Sequence, residues 1–171
     1  MAGGRFEVEF EDLRGNAPAA QGTEAVEFLV SANPGQPPRA LRKVASGGEL
    51  SRIGLSIEVA ALGKDEVATM VFDEVDAGIG GAIAEVVGRK LKDVASARQV
   101  LCVTHLPQVA AQADHHIGVR KASDGAATRT ELSALTKSAR LDELARMLGG
   151  IEITRETRAH AEAMLKRAQS R

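Results

Sequence analysis

The stretch that decides the fold is Lys43-Val44-Ala45-Ser46-Gly47-Gly48-Glu49-Leu50-Ser51-Arg52, in which two adjacent glycines stand directly before an apolar-periodic run. Ser46 and Glu49 have the spacing of a capping box, which predicts that a helix begins here. A helix with a glycine-lined start leaves its first N–H groups accessible, and such an end attracts anions. The alternative is a capped helix that follows a turn and binds no ligand.

The apolar positions of this predicted helix are spaced so that they share one face. They are Leu50, Ile53, Ile57, Ala60 and Ala61, and Gly63 predicts the end of the helix. Upstream, residues 5–11 alternate between apolar and acidic side chains, and residues 25–30 form a second strand candidate. We expect these two strands to pair as an antiparallel ribbon.

Composition excludes several classes of function. The chain has 171 residues, enough for one domain with a core or for part of a larger domain. Its aromatic content of 2% argues against a base-stacking platform, and its net charge of −1 argues against a domain held mainly by nucleic-acid phosphates. The single Cys102 cannot form an internal disulfide and suits a reducing cytoplasm. Because no apolar run approaches the roughly 18 residues of a membrane span, we expect no membrane partner.

The middle of the chain predicts a βαβ unit. Residues 67–72 and 99–103 are short apolar runs, typical of strands buried on both faces, and a helical pattern lies between them. The two strands should therefore be parallel with a right-handed crossover, which makes the fold class α/β. A hairpin from strands at 115–121 and 127–135 and helices at 138–148 and from 154 onward complete the prediction.

Polar residues follow each strand of this unit. Asp73-Glu74-Val75-Asp76 follows the first strand, and Thr104-His105 follows the second. Since ligands of such sheets bind at the carboxyl ends of the strands, we expect Asp73, Glu74 and His105 to collect at one edge. Paired acids suit Mg²⁺ held partly through water, with the second acid free to deprotonate a water. The alternatives are that the acids cap the next helix and that His105 is structural.

Two other arrangements have little support. Cys102-x-x-His105 with His115 and His116 resembles zinc spacing only loosely. A phosphate-binding Gly-x-x-x-x-Gly-Lys-[Ser/Thr] loop does not occur in the sequence. The chain thus has a candidate metal ligand, a candidate base and a helix N-terminus that could bind phosphate. It does not have the loop that would hold a nucleotide.

Three ordered motifs resemble those of the ABC-type ATPases. Ser46-Gly47-Gly48-Glu49 resembles the signature motif, Phe72-Asp73-Glu74 with Asp76 resembles the Walker B strand with its D-loop, and His105 resembles the switch histidine. The flanking residues 26–35, 103–110 and 145–150 are similar to the RecN family, SMC-like proteins of bacterial DNA double-strand-break repair. The resemblance covers nearly the whole chain but only the C-terminal lobe of the head. It implies a mostly parallel sheet flanked by helices, with an N-terminal antiparallel ribbon and a late hairpin.

The resemblance also implies a role for each site residue. The signature residues Ser46, Gly47 and Gly48 would contact the γ-phosphate of ATP held by an opposing head, and Glu49 belongs with them to the cofactor-binding residues. Asp76, also counted with these residues, would report across the seam between the two heads. Asp73 would hold Mg²⁺, Glu74 would polarise the attacking water, and His105 would contact the γ-phosphate in cis. The implied partners are the N-terminal Walker A lobe of the same head, a second head in an ATP-dependent homodimer, and DNA.

The chain is accordingly predicted to be a single partial domain over residues 1–171, the C-terminal half of an ATPase head without its Walker A half. The leading hypothesis is an ATPase half-site of a cytoplasmic, nucleoid-associated DNA repair protein that is inactive as an isolated chain. One alternative is a non-enzymatic docking lobe. The other is a fragment of a different ABC-type protein, such as a transporter.

Overall fold

A computed structural model of the chain describes residues 4–13, 22–31, 35–43, 47–61, 67–123, 128–149 and 152–170. The strands are β1 Arg5–Asp12, β2 Glu24–Ser31, β3 Arg39–Ala40, β4 Thr69–Phe72, β5 Gln99–Cys102, β6 Ile117–Ser123 and β7 Thr128–Ala134. The α-helices are α1 Gly47–Ala60, α2 Gly81–Ala95, α3 Pro107–Ala110, α4 Lys137–Gly149 and α5 Arg155–Gln169, and a 3₁₀ turn covers Leu41–Lys43. The chain divides into two units, Met1–Leu50 and Ser51–Arg171. The assignment of both to one partial domain stays a prediction.

The first unit contains the predicted antiparallel ribbon. β1 pairs with β2 along its full length, and β3 adds to the far edge of β2. Alternation puts Phe6, Val8 and Phe10 on one face with Phe28, and the rings of Phe6 and Phe28 lie 5.7 Å apart. The ribbon is therefore confirmed, although its apolar face stays exposed, with Phe10 at 64%.

The second unit contains the predicted parallel pair. β4 and β5 are parallel, Phe72 lies opposite Cys102, and α2 is the crossover between them. The inner face of this sheet packs on a core that α1, α2 and α3 complete, formed by Leu55, Phe72, Val75, Ala84, Val87, Leu91, Val94 and Val109. The outer face is different: Val71 is 68% exposed and Leu101 45%. The expectation of strands buried on both faces is wrong, because the described helices cover only one side.

The predicted apolar face of α1 is also wrong. Leu55 is the residue of α1 that enters the core, with Val59 packed partly against it. Leu50 and Ile57 are exposed. Because α1 has apolar residues around much of its circumference, its periodicity alone did not select a face.

The remaining elements agree with the sequence. β6 and β7 form the predicted antiparallel hairpin. Leu144 and Ala145 of α4 are fully buried in a second core, where Ala161 and Met164 of α5 meet them. A capping box formed by Thr154 starts α5. Among the helices that the structure describes, none is both long and apolar enough to cross a membrane.

Candidate functional site

The loop after β4 presents two carboxylates at the end of the parallel pair. Asp73 and Glu74 are exposed, whereas Val75 is 0% exposed and anchors the loop in the core. Glu74 has a φ of 57°, a left-handed conformation that costs a non-glycine residue about 1–2 kcal/mol. The Asp73 carboxylate accepts the backbone N–H of Glu74 at 2.9 Å and helps to hold this turn. Residues kept in such conformations tend to cluster at functional sites.

Two residues of α1 donate hydrogen bonds to backbone carbonyls of the same loop. The Ser51 hydroxyl donates to the carbonyl of Asp73 at 2.8 Å. The Arg52 guanidinium donates to the carbonyls of Val75 and Ala77, at 3.3 and 2.8 Å. These bonds satisfy carbonyls of an irregular turn, and they connect the helix that begins at the double glycine directly to the acidic loop.

Asp76 joins the loop to the end of β5. Its side chain is 2% exposed, and its Oδ2 accepts hydrogen bonds from the Thr104 hydroxyl and from the backbone N–H of His105. The same oxygen lies 3.3 Å from Nδ1 of His105, whose side chain is 70% exposed. The carboxyl ends of both parallel strands are therefore tied together through one buried carboxylate.

The Mg²⁺ that the resemblance implies would find one suitable ligand here. Asp73 is an exposed carboxylate, and its Oδ1 accepts the backbone N–H of Glu74. In the described part of the chain no group of three or more His, Cys, Asp or Glu side chains forms a metal site. This arrangement fits an ion that keeps most of its water shell, as Mg²⁺ does, and not a cage of protein ligands.

The loose zinc pattern receives no support from the structure. Burial, followed by the negative charges of Asp76 and Asp73, raises the pKa of the Cys102 thiol to about 12. Zinc binds the thiolate, so a thiol held protonated is a poor ligand.

The structure brings together Asp73, Glu74, Asp76 and His105 of the predicted site. Ser46 lies outside the described residues, and with it the capping box to Glu49. Gly47, Gly48 and Glu49 form the first turn of α1, where Gly48 is buried. Every role that the resemblance implied for these residues stays a prediction.

Sequence reasoning missed the contacts of Ser51, Arg52 and Thr104. Arg52 did give a signal, because it precedes the buried Leu55 by three positions and so lies near the core-facing side of α1. A charged residue there needs a polar partner, and the loop carbonyls provide it.

No family model matches the chain. The curated relatives described next are all RecN proteins. The DNA repair protein RecN of Xylella fastidiosa strain Temecula1 is 53% identical over 169 residues, which cover 99% of this chain and 30% of the relative. RecN of Vibrio cholerae is 46% identical, over 96% of this chain and 30% of the relative. RecN of Bacillus subtilis is 44% identical, over 86% and 26%. The chain thus spans about 30% of the length of the curated relatives it matches most extensively.

Two solved structures show the fold. A chain described under "Structural biochemistry of ATP-driven dimerization and DNA stimulated activation of SMC ATPases" has a TM-score of 0.56 at 20% identity, covering 88% of this chain and 84% of that one. The Smc head domain with a coiled coil and joint from Pyrococcus yayanosii has a TM-score of 0.59 at 22% identity, covering 83% and 25%. The fold is therefore that of an SMC ATPase head lobe, which confirms the predicted α/β class.

Proposed function

We infer that this chain, a homologue of the RecN proteins over nearly its whole length, forms part of an ATP-hydrolysing head that acts in DNA repair. The observation that supports this most directly is that Asp73, Glu74 and His105 all follow the carboxyl ends of the paired parallel strands β4 and β5. Phosphoryl transfer depends mainly on positioning and on charge stabilisation, and the three side chains would supply those functions.

Glu74 is proposed to orient and deprotonate the attacking water. The backbone of Glu74 has a left-handed conformation, and its carboxylate is exposed at the edge of the sheet. In the described structure this carboxylate has no hydrogen-bond partner. Asp73 would hold Mg²⁺ largely through water, and the bound ion would neutralise charge on the phosphates of ATP. His105 would donate a hydrogen bond to the γ-phosphate from the imidazole nitrogen that Asp76 leaves free.

The chain is proposed to need two partners to complete this site. Since its sequence has no phosphate-binding loop, the Walker A lobe of the same head would hold the nucleotide. The signature residues Ser46, Gly47, Gly48 and Glu49 would contact ATP bound to a second head, so that ATP joins the heads and hydrolysis releases them. DNA would be engaged by the longer protein of which this chain is a part.

The test is Glu74→Gln in a complete head that contains this chain. Removing a general base lowers turnover by about 10²–10⁴-fold, and we expect the variant to bind ATP and to accumulate dimers. Phosphate release measures the rate, and sedimentation with Mg-ATP measures the dimer. Glu152→Gln, the same change at an exposed residue away from the sheet edge, serves as the control and should match the wild type.

Unchanged turnover in Glu74→Gln would rule out Glu74 as the base. A complete head that does not hydrolyse ATP at all would instead favour the second candidate, a non-enzymatic docking lobe. The absence of a phosphate-binding loop from the sequence is the observation that keeps this candidate open.

A further inference from the structure

Asp76 is buried at the point where an aspartate of a surface loop would ordinarily face water. Only 2% of its side chain is exposed, although the preceding acids Asp73 and Glu74 of the same loop are exposed. Burying a carboxylate is costly unless hydrogen bonds or cations compensate for the lost water. The compensation comes from Thr104 and His105, which follow the neighbouring strand.

Three groups converge on one oxygen of this carboxylate. Oδ2 accepts from the Thr104 hydroxyl and from the His105 backbone N–H, and it lies 3.3 Å from Nδ1 of the His105 ring. An ionised carboxylate only accepts hydrogen bonds, so this contact favours the form of the imidazole with its proton on Nδ1. The backbone hydrogen bond fixes the start of the side chain, and Nδ1 of its ring lies 3.3 Å from the same carboxylate oxygen.

The opposite ring nitrogen then has a defined direction. With Nδ1 directed at Asp76, Nε2 points away from the buried carboxylate, and the His105 side chain is 70% exposed. A carboxylate that contacts one ring nitrogen of a histidine orients the ring and so directs the other nitrogen.

We propose that Asp76 is a positioning residue, which holds the His105 imidazole through Nδ1 so that Nε2 is presented at the carboxyl end of β5. This inference rests on the proposed function, in which His105 meets the γ-phosphate. It differs from the role across the seam between two heads that the sequence resemblance implied for Asp76, since the carboxylate faces the interior of its own chain.

The first test is a double-mutant cycle in the complete head. Asp76→Asn should lower kcat by about 10–100-fold, as loss of a second-layer partner typically does, and leave KM for ATP within about twofold. In a His105→Ala background the same substitution should change kcat by less than about twofold, because its effect passes through the ring. Asp93→Asn, the same chemical change at an exposed residue of α2, is the control and should match the wild type.

Equal losses in both backgrounds would overturn the proposal, because Asp76 would then act on the fold and not on His105. No loss in either background would overturn it as well. If Glu74→Gln abolishes turnover while Asp76→Asn does not, this inference fails and the proposed function stands.

The second test does not depend on ATP hydrolysis. ¹⁵N NMR of the imidazole in the 171-residue chain, at about pH 8, reports which ring nitrogen holds the proton. We expect the Nδ1–H form at His105 in the wild type and loss of that preference in Asp76→Asn. A wild-type ring protonated mainly on Nε2 would overturn the proposal even if Asp76→Asn failed to fold, and the expected spectrum would support it even if the head proved inactive.

Discussion

Among single residues, His116 connects the stability of this chain to pH. Its Nδ1 is buried and has no hydrogen-bond partner among the residues that the structure describes. Burial, and then the nearby charge of Arg140, lowers the pKa of the imidazole below its ordinary value of 6.5, and Glu143 opposes the shift. Arg140 is itself held in place by the carbonyls of Ala110 and Ala111, so the cation stays close to the ring.

We predict that acidification weakens the fold through His116. As the pH falls below about 6.5 the unfolded chain binds the proton first, so the free energy of unfolding decreases until the lower pKa of the folded state is passed. Urea midpoints at about pH 7.5 and about pH 5.5 measure this loss. His116→Gln should reduce the difference between the two midpoints, whereas His160→Gln, at an exposed position of α5, should keep it. An unchanged difference in His116→Gln would contradict the assignment.

The site shows which residues a sequence can place. Asp73, Glu74 and His105 were expected at one edge because they follow parallel strands, and strand order alone brings such ends together. No comparable feature of the sequence indicated that the Asp76 side chain is buried. That burial depends on the left-handed backbone at Glu74 and on the burial of Val75, and neither follows from periodicity in a short irregular loop.

At the level of elements, the type of each helix and strand was more predictable from the sequence than the face that it buries. α4 has a narrow apolar stripe, and its predicted inward residues Leu144 and Ala145 are fully buried. α1 is apolar on several sides, and tertiary packing selected Leu55 over Leu50 and Ile57. Packing against neighbours, and not the helical period, decides such cases.

One ion pair couples α1 to the start of β5. The Arg98 side chain is 3% exposed, and its Nη1 lies 3.6 Å from Glu58 Oε2. That carboxylate oxygen is buried and accepts no hydrogen bond from the described part of the chain, although 24% of the Glu58 side chain is exposed. The ion pair is therefore long, and one carboxylate oxygen lacks a hydrogen bond. Replacing one partner alone should be costly because it leaves the other charge unpaired, whereas replacing both partners with apolar residues should be tolerated.

We expect Arg98→Met to lower the free energy of unfolding by about 2 kcal/mol, somewhat less than the loss of one partner from a fully buried pair, because Glu58 keeps some contact with water. The double variant with Glu58→Leu should recover most of this loss. Lys90→Met, which breaks the exposed pair with Asp93, is the control, and it should cost less than about 1 kcal/mol. Urea unfolding gives the values, and a double variant less stable than Arg98→Met would refute this account.

For the chain as a whole, the exposure of the β4–β5 sheet is the main departure from the sequence-based picture. Parallel strands are normally covered on both faces, yet Val71, Leu101 and Val103 are 68%, 45% and 62% exposed. Among the described residues this face stays uncovered, and the chain spans about 30% of the length of relatives such as RecN of Xylella fastidiosa and of Vibrio cholerae. An exposed apolar strand surface is also a site for association.

We predict that the isolated chain self-associates through this sheet face, and that a complete head does not. Replacing Val71 and Val103 together by threonine keeps the branched shape that suits a strand and makes the face more polar, so it should weaken association without loss of helical signal. Sedimentation velocity over a range of concentrations measures the effect. Val86→Thr, at an exposed apolar position of α2, is the matched control and should associate like the wild type. Equal association of the double variant and the wild type would show that another surface is responsible.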